Sequence, residues 1–225
     1  MPSWWLANAW EDSPTRAIAW VAWIIISITL HELGHGWMAM RCGDDVPLRT
    51  GHMTLNPLVH IPFPWAWIMF LALGITWGQM PVQPANFRGR YDDAKVAFAG
   101  PMVNLLLAIA CIIFDVAWLT YGPIGREGLH QSVHAAVFEG LKLNLVLFLF
   151  NLLPVPPLDG SRILGSFVPA FGRLWQGHAG EIVGLLGFIF LFRYAGAVIW
   201  PTAWFVAVAC VKSGLVLSGG EWVHP

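Results

Sequence analysis

The sequence predicts an all-α polytopic membrane protein with about four to six membrane-crossing helices, forming a single integral-membrane unit over residues 1–225. Three observations predict it. Of the 225 residues, 57% are hydrophobic and only 11% are charged, where soluble domains carry about 25% charge. Several apolar runs reach the roughly 20 residues needed to cross about 30 Å of hydrocarbon. Fourteen tryptophans suit membrane–water interfaces, where an amphipathic ring is comfortable. Twelve Lys/Arg against thirteen Asp/Glu give a formal charge of −1, which excludes a basic nucleic-acid binder and an acidic disordered chain. Cys42, Cys111 and Cys210 are scattered and odd in number, which excludes a disulfide framework and a cysteine-type zinc cluster.

The first crossing is read over residues 17–40, unbroken except for His31, Glu32 and His35. Glu11 and Asp12 precede it and no small-residue cleavage site follows, so it is not a signal peptide. Residues 44–93 are mixed. Within them, 46–60 read as extended, turn-punctuated backbone, either a short sheet that receives substrate or a surface hairpin. Residues 65–77 are apolar but too short to cross, and prolines flank them, so a re-entrant segment is expected. The second crossing spans 94–120 and contains Gly100-Pro101. The third spans 133–153 and leads into a proline-broken loop ending near residue 164. Residues 182–217 are apolar but broken by Arg193, Pro201 and Lys212. They form two short spans, or one span plus an interfacial helix.

The sharpest local feature is His31-Glu32-Leu33-Gly34-His35. On a helix, residues four apart share a face. Two imidazoles can therefore grip one zinc while the adjacent Glu32 reaches the bound water as general base. Such groups inside a membrane helix are costly and seldom lack a function. Catalytic zinc usually takes three protein ligands. Met38 and Arg41 stand where a metzincin continues with glycine and histidine, so the third ligand must come from elsewhere. Asp159, after Pro154, Pro156 and Pro157, is the best candidate, because broken backbone at membrane depth belongs in protein or beside a wet cavity. The alternative for Asp159 is a helix N-cap.

The combination of HELGH, Ala99-Gly100-Pro101 with Asn104, and Phe150-Asn151-Leu152-Leu153-Pro154 leading to Pro157-Leu158-Asp159-Gly160 resembles the site-2 protease family of intramembrane zinc metalloproteases. Thr54-Leu55-Asn56-Pro57-Leu58 and the stretch around Pro81-Val82 are similar to its compact bacterial branch, which lacks a PDZ or other regulatory domain. The resemblance covers residues 17–164. It implies one zinc per chain on His31, His35 and Asp159, Glu32 as base, and Asn151 at the active site. It also implies membrane-anchored proteins as substrates, cut in or near their membrane segments. Asn151 is then an oxyanion donor or, alternatively, a packing amide between helices. Asn104 and Asn144 suit helix packing at least as well as catalysis.

A shared metal constrains topology. If residues 65–77 crossed fully, Asp159 would emerge on the wrong face. If they dip and return, the first and third spans run the same way and the three ligands meet. Arg41, Arg49, Arg88, Arg90, Lys95, Arg162 and Arg173 share one side, against Arg16 and Arg126 on the other. Positive loops lie inside, so the N-terminus is expected outside a bacterial plasma membrane and the site mouth toward the cytoplasm. His130 and His134 repeat the four-residue spacing without an adjacent acid. The Asp44-Asp45 and Asp92-Asp93 pairs are read as solvated charges or caps. Two other function classes fit an intramembrane His/Asp cluster: a cation transporter, and a non-catalytic relative that binds membrane partners.

Overall fold

The computed structural model describes residues 5–74, 76–123, 127–175 and 177–219; Arg126 and His224 lie outside them. In chain order the helices are α1 (Trp5–Asp12), α2 (Pro14–Cys42), α3 (Val46–Arg49), α4 (Pro57–His60) and α5 (Trp65–Leu73). A 3-10 turn at Pro84–Asn86 precedes α6 (Asp92–Tyr121), α7 (Glu127–Asn151), α8 (Asp159–Phe167), α9 (Pro169–Leu174) and α10 (Gly177–Ser218). The chain is a multi-pass membrane protein. Four stretches are long and apolar enough to cross: α2, α6, α7 and the Tyr194–Ser218 part of α10. The last answers the question left open over 182–217. One continuous helix carries Pro201 inside it, and Ile182–Phe192 is a shorter apolar extension.

Local chemistry sets the ends of α2. Ser13 caps its start, accepting from the Arg16 N–H, and Pro14 occupies the first turn, where its missing N–H costs nothing. Gly43 stops it in the left-handed region (φ 108°), with its N–H directed at Ala39 and Met40.

The bundle buries polar groups among its apolar core residues and turns apolar side chains outward. Asn104, Asn144 and Asp115 are fully buried, whereas Ile18, Ile113, Phe205 and Leu217 are exposed. In water that arrangement would be unfavourable; against lipid tails it is the expected one. Small residues close the seam between α6, α7 and α10, where Ala108, Ala203 and Ala207 pack with Leu141, Leu145 and Val211.

Cross-helix contacts give the directions. Trp23 Nε1 donates to the Ala136 carbonyl, while Ile28 packs in one cluster with Leu143, so α2 and α7 run parallel. His35 meets Val96 and His31 meets Asn104, so α6 runs antiparallel to both. Thr120 meets Ser218 and Gly214 abuts Val116, so α10 runs with α6.

The chain between α2 and α6 leaves and returns at the same end. The Arg88 N–H reaches the Cys42 carbonyl at 3.1 Å. Between those points α5 lies back along α2, with Ala66 and Phe70 in one cluster with Ile24 and Ile28. Nine residues of helix rise only about 13 Å, less than half the hydrocarbon thickness. The expected sheet over 46–60 is not seen: there is no strand among the described residues, and two single-turn helices, α3 and α4, stand there instead. Pro47 and Pro57 each sit in the first turn of those helices. A proline's fixed φ suits a helix start as well as extended backbone.

Candidate metal centre

His31 and His35 lie one turn apart on α2, and both are buried. Their Nε2 atoms are 3.0 Å apart. Each lies 3.3 Å from Oδ2 of Asp159. A tetrahedral ion with ligand bonds of about 2.0–2.1 Å has ligand–ligand edges of about 3.3 Å. The spacing therefore fits a zinc-sized ion. The donor chemistry fits as well. His35 Nδ1 lies 2.7 Å from the Val96 carbonyl, which can only accept. Nδ1 therefore carries a proton, and in the neutral ring Nε2 is left with a lone pair facing a carboxylate oxygen. Buried acceptors facing one another need a cation between them. These three residues form the one buried His/Cys/Asp/Glu group of metal-ligating geometry among the described residues.

Three features bring the groups together. Gly100 on α6 lies against both imidazoles. A Cβ there would run into His35 Nε2 and would sit 2.7 Å from His31 Cε1. Past Asn151 the chain tightens through Leu153 N–H to Phe150 O (3.1 Å) and Leu158 N–H to Val155 O (2.9 Å). Asp159 then opens α8, with Leu158 as the N-cap residue. Its carboxylate faces the imidazoles and does not cap the helix. His31 Nδ1 reaches Asn104 Oδ1 at 2.7 Å.

Glu32 is buried beside the two histidines. The irregular chain at residues 76–83 approaches it at Gly78, where a Cβ would collide with the Glu32 carboxylate. That segment is pinned on both sides. The Gln79 N–H donates to the His60 carbonyl at 2.8 Å, and the Gln83 N–H donates to Asp44 at 2.7 Å. Asp44 also accepts from Val46 N–H and Asn86 Nδ2. It is fully buried, which corrects the reading of it as a solvated charge. Burial alone would raise its pKa. The hydrogen bonds from Gln83, Asn86 and Val46, with the Arg49 guanidinium, overcome that and hold the carboxyl below the usual range.

His31, His35 and Asp159 thus meet, with Glu32 adjacent. Asn151 is the last residue of α7. Its Nδ2 donates to the Leu147 carbonyl of its own helix at 3.0 Å. Sequence reasoning also missed the acid opposite His134. Asp115 lies 2.8 Å from His134 Nδ1, and both are buried. His130 instead stacks on Trp118. The antiparallel register of α6 and α7 makes the Asp115–His134 pair, and no local spacing signals it.

The Peptidase family M50 model matches residues 19–141 and 119–194. The chain is similar to "Putative zinc metalloprotease YwhC" of Bacillus subtilis, 37% identical over 182 residues, covering 79% of this chain and 82% of that protein. It is similar to "Putative zinc metalloprotease Rip2" of Mycobacterium tuberculosis, 32% identical over 151 residues, 64% of this chain and 55% of that one. It is also similar to "Zinc metalloprotease MJ0392" of Methanocaldococcus jannaschii, 24% identical over 145 residues, 64% of this chain and 33% of that one. No solved structure matches the chain significantly.

Proposed function

The chain belongs to peptidase family M50, a family of zinc metalloproteases, and on that premise we propose that it is an intramembrane endopeptidase cutting membrane-anchored proteins in or near their membrane segments. The observation that carries this reading is the buried convergence of His31, His35 and Asp159 beside a carboxylate, Glu32, that belongs to neither imidazole face.

His31, His35 and Asp159 would hold the zinc, which when bound would polarise the scissile carbonyl as a Lewis acid and lower the pKa of water to about 7. The Glu32 carboxylate takes the proton of the attacking water and returns it to the leaving amine nitrogen. Asn151 donates from its carboxamide to the carbonyl oxygen where negative charge develops. An amide nitrogen has two hydrogens, and the bond to Leu147 uses one of them. The segment from residue 43 to 91 is a re-entrant excursion, supported by its return to Cys42. By the distribution of arginine and lysine, the N-terminus faces outward and the site mouth faces the cytoplasm of a bacterial cell.

The test uses single-span membrane proteins tagged at both ends, produced together with the wild-type chain or with Glu32→Gln. Cut fragments that appear only with wild type, at equal zinc content in the two proteins, are the expected result. Fragments that persist with Glu32→Gln would remove Glu32 from the chemistry.

A further inference from the structure

Asn104 on α6 and Asn144 on α7 are both fully buried. His31 Nδ1 lies 2.7 Å from Asn104 Oδ1. Asn104 Nδ2 lies 3.0 Å from Asn144 Oδ1. Asn144 Nδ2 lies 2.9 Å from the carbonyl of Gly140, one turn back on its own helix. A carboxamide can present either its oxygen or its nitrogen to a neighbour, so each amide taken alone leaves the direction open. The end of the chain of bonds does not. A backbone carbonyl only accepts. Asn144 must therefore turn its NH₂ toward Gly140 and its oxygen toward α6. Asn104 must then donate to that oxygen, which leaves its own oxygen for His31. His31 must in turn donate from Nδ1, and in the neutral ring its Nε2 is left with a lone pair aimed at Asp159 and His35. The opposite order would set the Asn144 side-chain oxygen against the Gly140 carbonyl oxygen in a dry interior.

We propose that Asn104 and Asn144 are positioning residues that fix the ring orientation and proton placement of His31, so that its Nε2 is the atom offered to the metal. This rests on the metal-site reading above and deepens it. The two histidines are anchored differently. His35 is fixed by the backbone of α6 at Val96, which no substitution removes. His31 is fixed by two side chains that link α2 to α6 and α6 to α7. Outer partners of a metal-bound histidine orient the ring and raise its basicity. A packing role alone would not require that every bond in the series point the same way.

The test measures zinc affinity by chelator competition and the visible spectrum of the cobalt-substituted protein. It compares wild type, Asn104→Leu, Asn144→Leu, the double variant, Asn104→Asp and Asp159→Ala. Asn104→Leu is expected to weaken zinc by about 10–100-fold and to shift the cobalt bands. Asn144→Leu should weaken it less. The double variant should match Asn104→Leu alone, because Asn144 acts only through Asn104. Asn104→Asp keeps an oxygen acceptor for His31 Nδ1, so it should lose less zinc affinity than Asn104→Leu. Where Asn104→Leu does not fold, Asn144→Leu carries the test. Wild-type affinity in Asn104→Leu, or losses that simply add in the double variant, would overturn the proposal. Zinc lost in Asp159→Ala but kept in Asn104→Leu overturns this inference alone. Zinc kept in Asp159→Ala overturns the metal-site reading and this inference with it.

Discussion

The carboxylate of Asp44 receives the backbone N–H of Gln83 at 2.7 Å, and so ties the end of α2 to the chain returning from Glu32. Asp44 accepts three hydrogen bonds without exposure to water. Asp44→Asn would turn a donor toward donors. A loss of about 2–3 kcal/mol is expected, read as a lower melting temperature and faster proteolysis within residues 76–90. The wild-type carboxyl is held below its usual pKa, so its stabilisation is complete above the unfolded value of about 3.9. It is lost as pH falls through the depressed folded value. The Asn variant should therefore lack this acid-limb dependence in melts taken below about pH 4.

Gly78→Ala separates the base from the metal. The added methyl would meet the Glu32 side chain before any other group. Cleavage should fall at least about tenfold, equivalent to 1.4 kcal/mol in the barrier. Zinc content should remain that of wild type. Full activity in this variant would show that the 76–83 segment moves off Glu32 before catalysis.

Asp159→Ala should lower zinc from about one per chain, the stoichiometry of a three-ligand catalytic site, to a small residue in purified protein. Metal analysis of the two proteins side by side is sufficient. Unchanged zinc would remove Asp159 from the metal.

The Asp115–His134 pair lies near the other end of α6. Asp115→Ala leaves His134 buried without its acid and is expected to cost about 3–5 kcal/mol. Replacing both residues by leucine should recover much of that loss. Zinc per folded chain should be unaffected in either protein, as measured after size-exclusion chromatography.

The first three crossings were legible because apolar length is a property of the chain alone, whereas 182–217 left one span or two open. The predicted start at residue 17 falls three residues inside α2, and the predicted start at 94 falls two inside α6. His31, Glu32 and His35 were legible because a helix converts their spacing into one face. Asp159 was legible because three prolines mark a break where a membrane span should continue. Other features depend on partners far along the chain. Asp44 finds its donors 39 and 42 residues later. Glu32 is covered by a glycine whose position follows from the whole excursion between α2 and α6. The misreading of 46–60 has a local cause: Pro47 and Pro57 fit a helix's first turn and an extended chain equally well.

The three converging ligand atoms come from opposite ends of the catalytic half of the molecule. His31 and His35 are made early, on the first crossing, whereas Asp159 follows only after the third has been completed. A ribosome-bound chain that has inserted α2 therefore has two imidazoles and an acid at membrane depth but no complete metal grip. The complete ligand set can assemble only once α7 is in place and the Asp159 turn has folded back. Capture of an ion there would close a long loop whose ordering cost the bundle has by then already met.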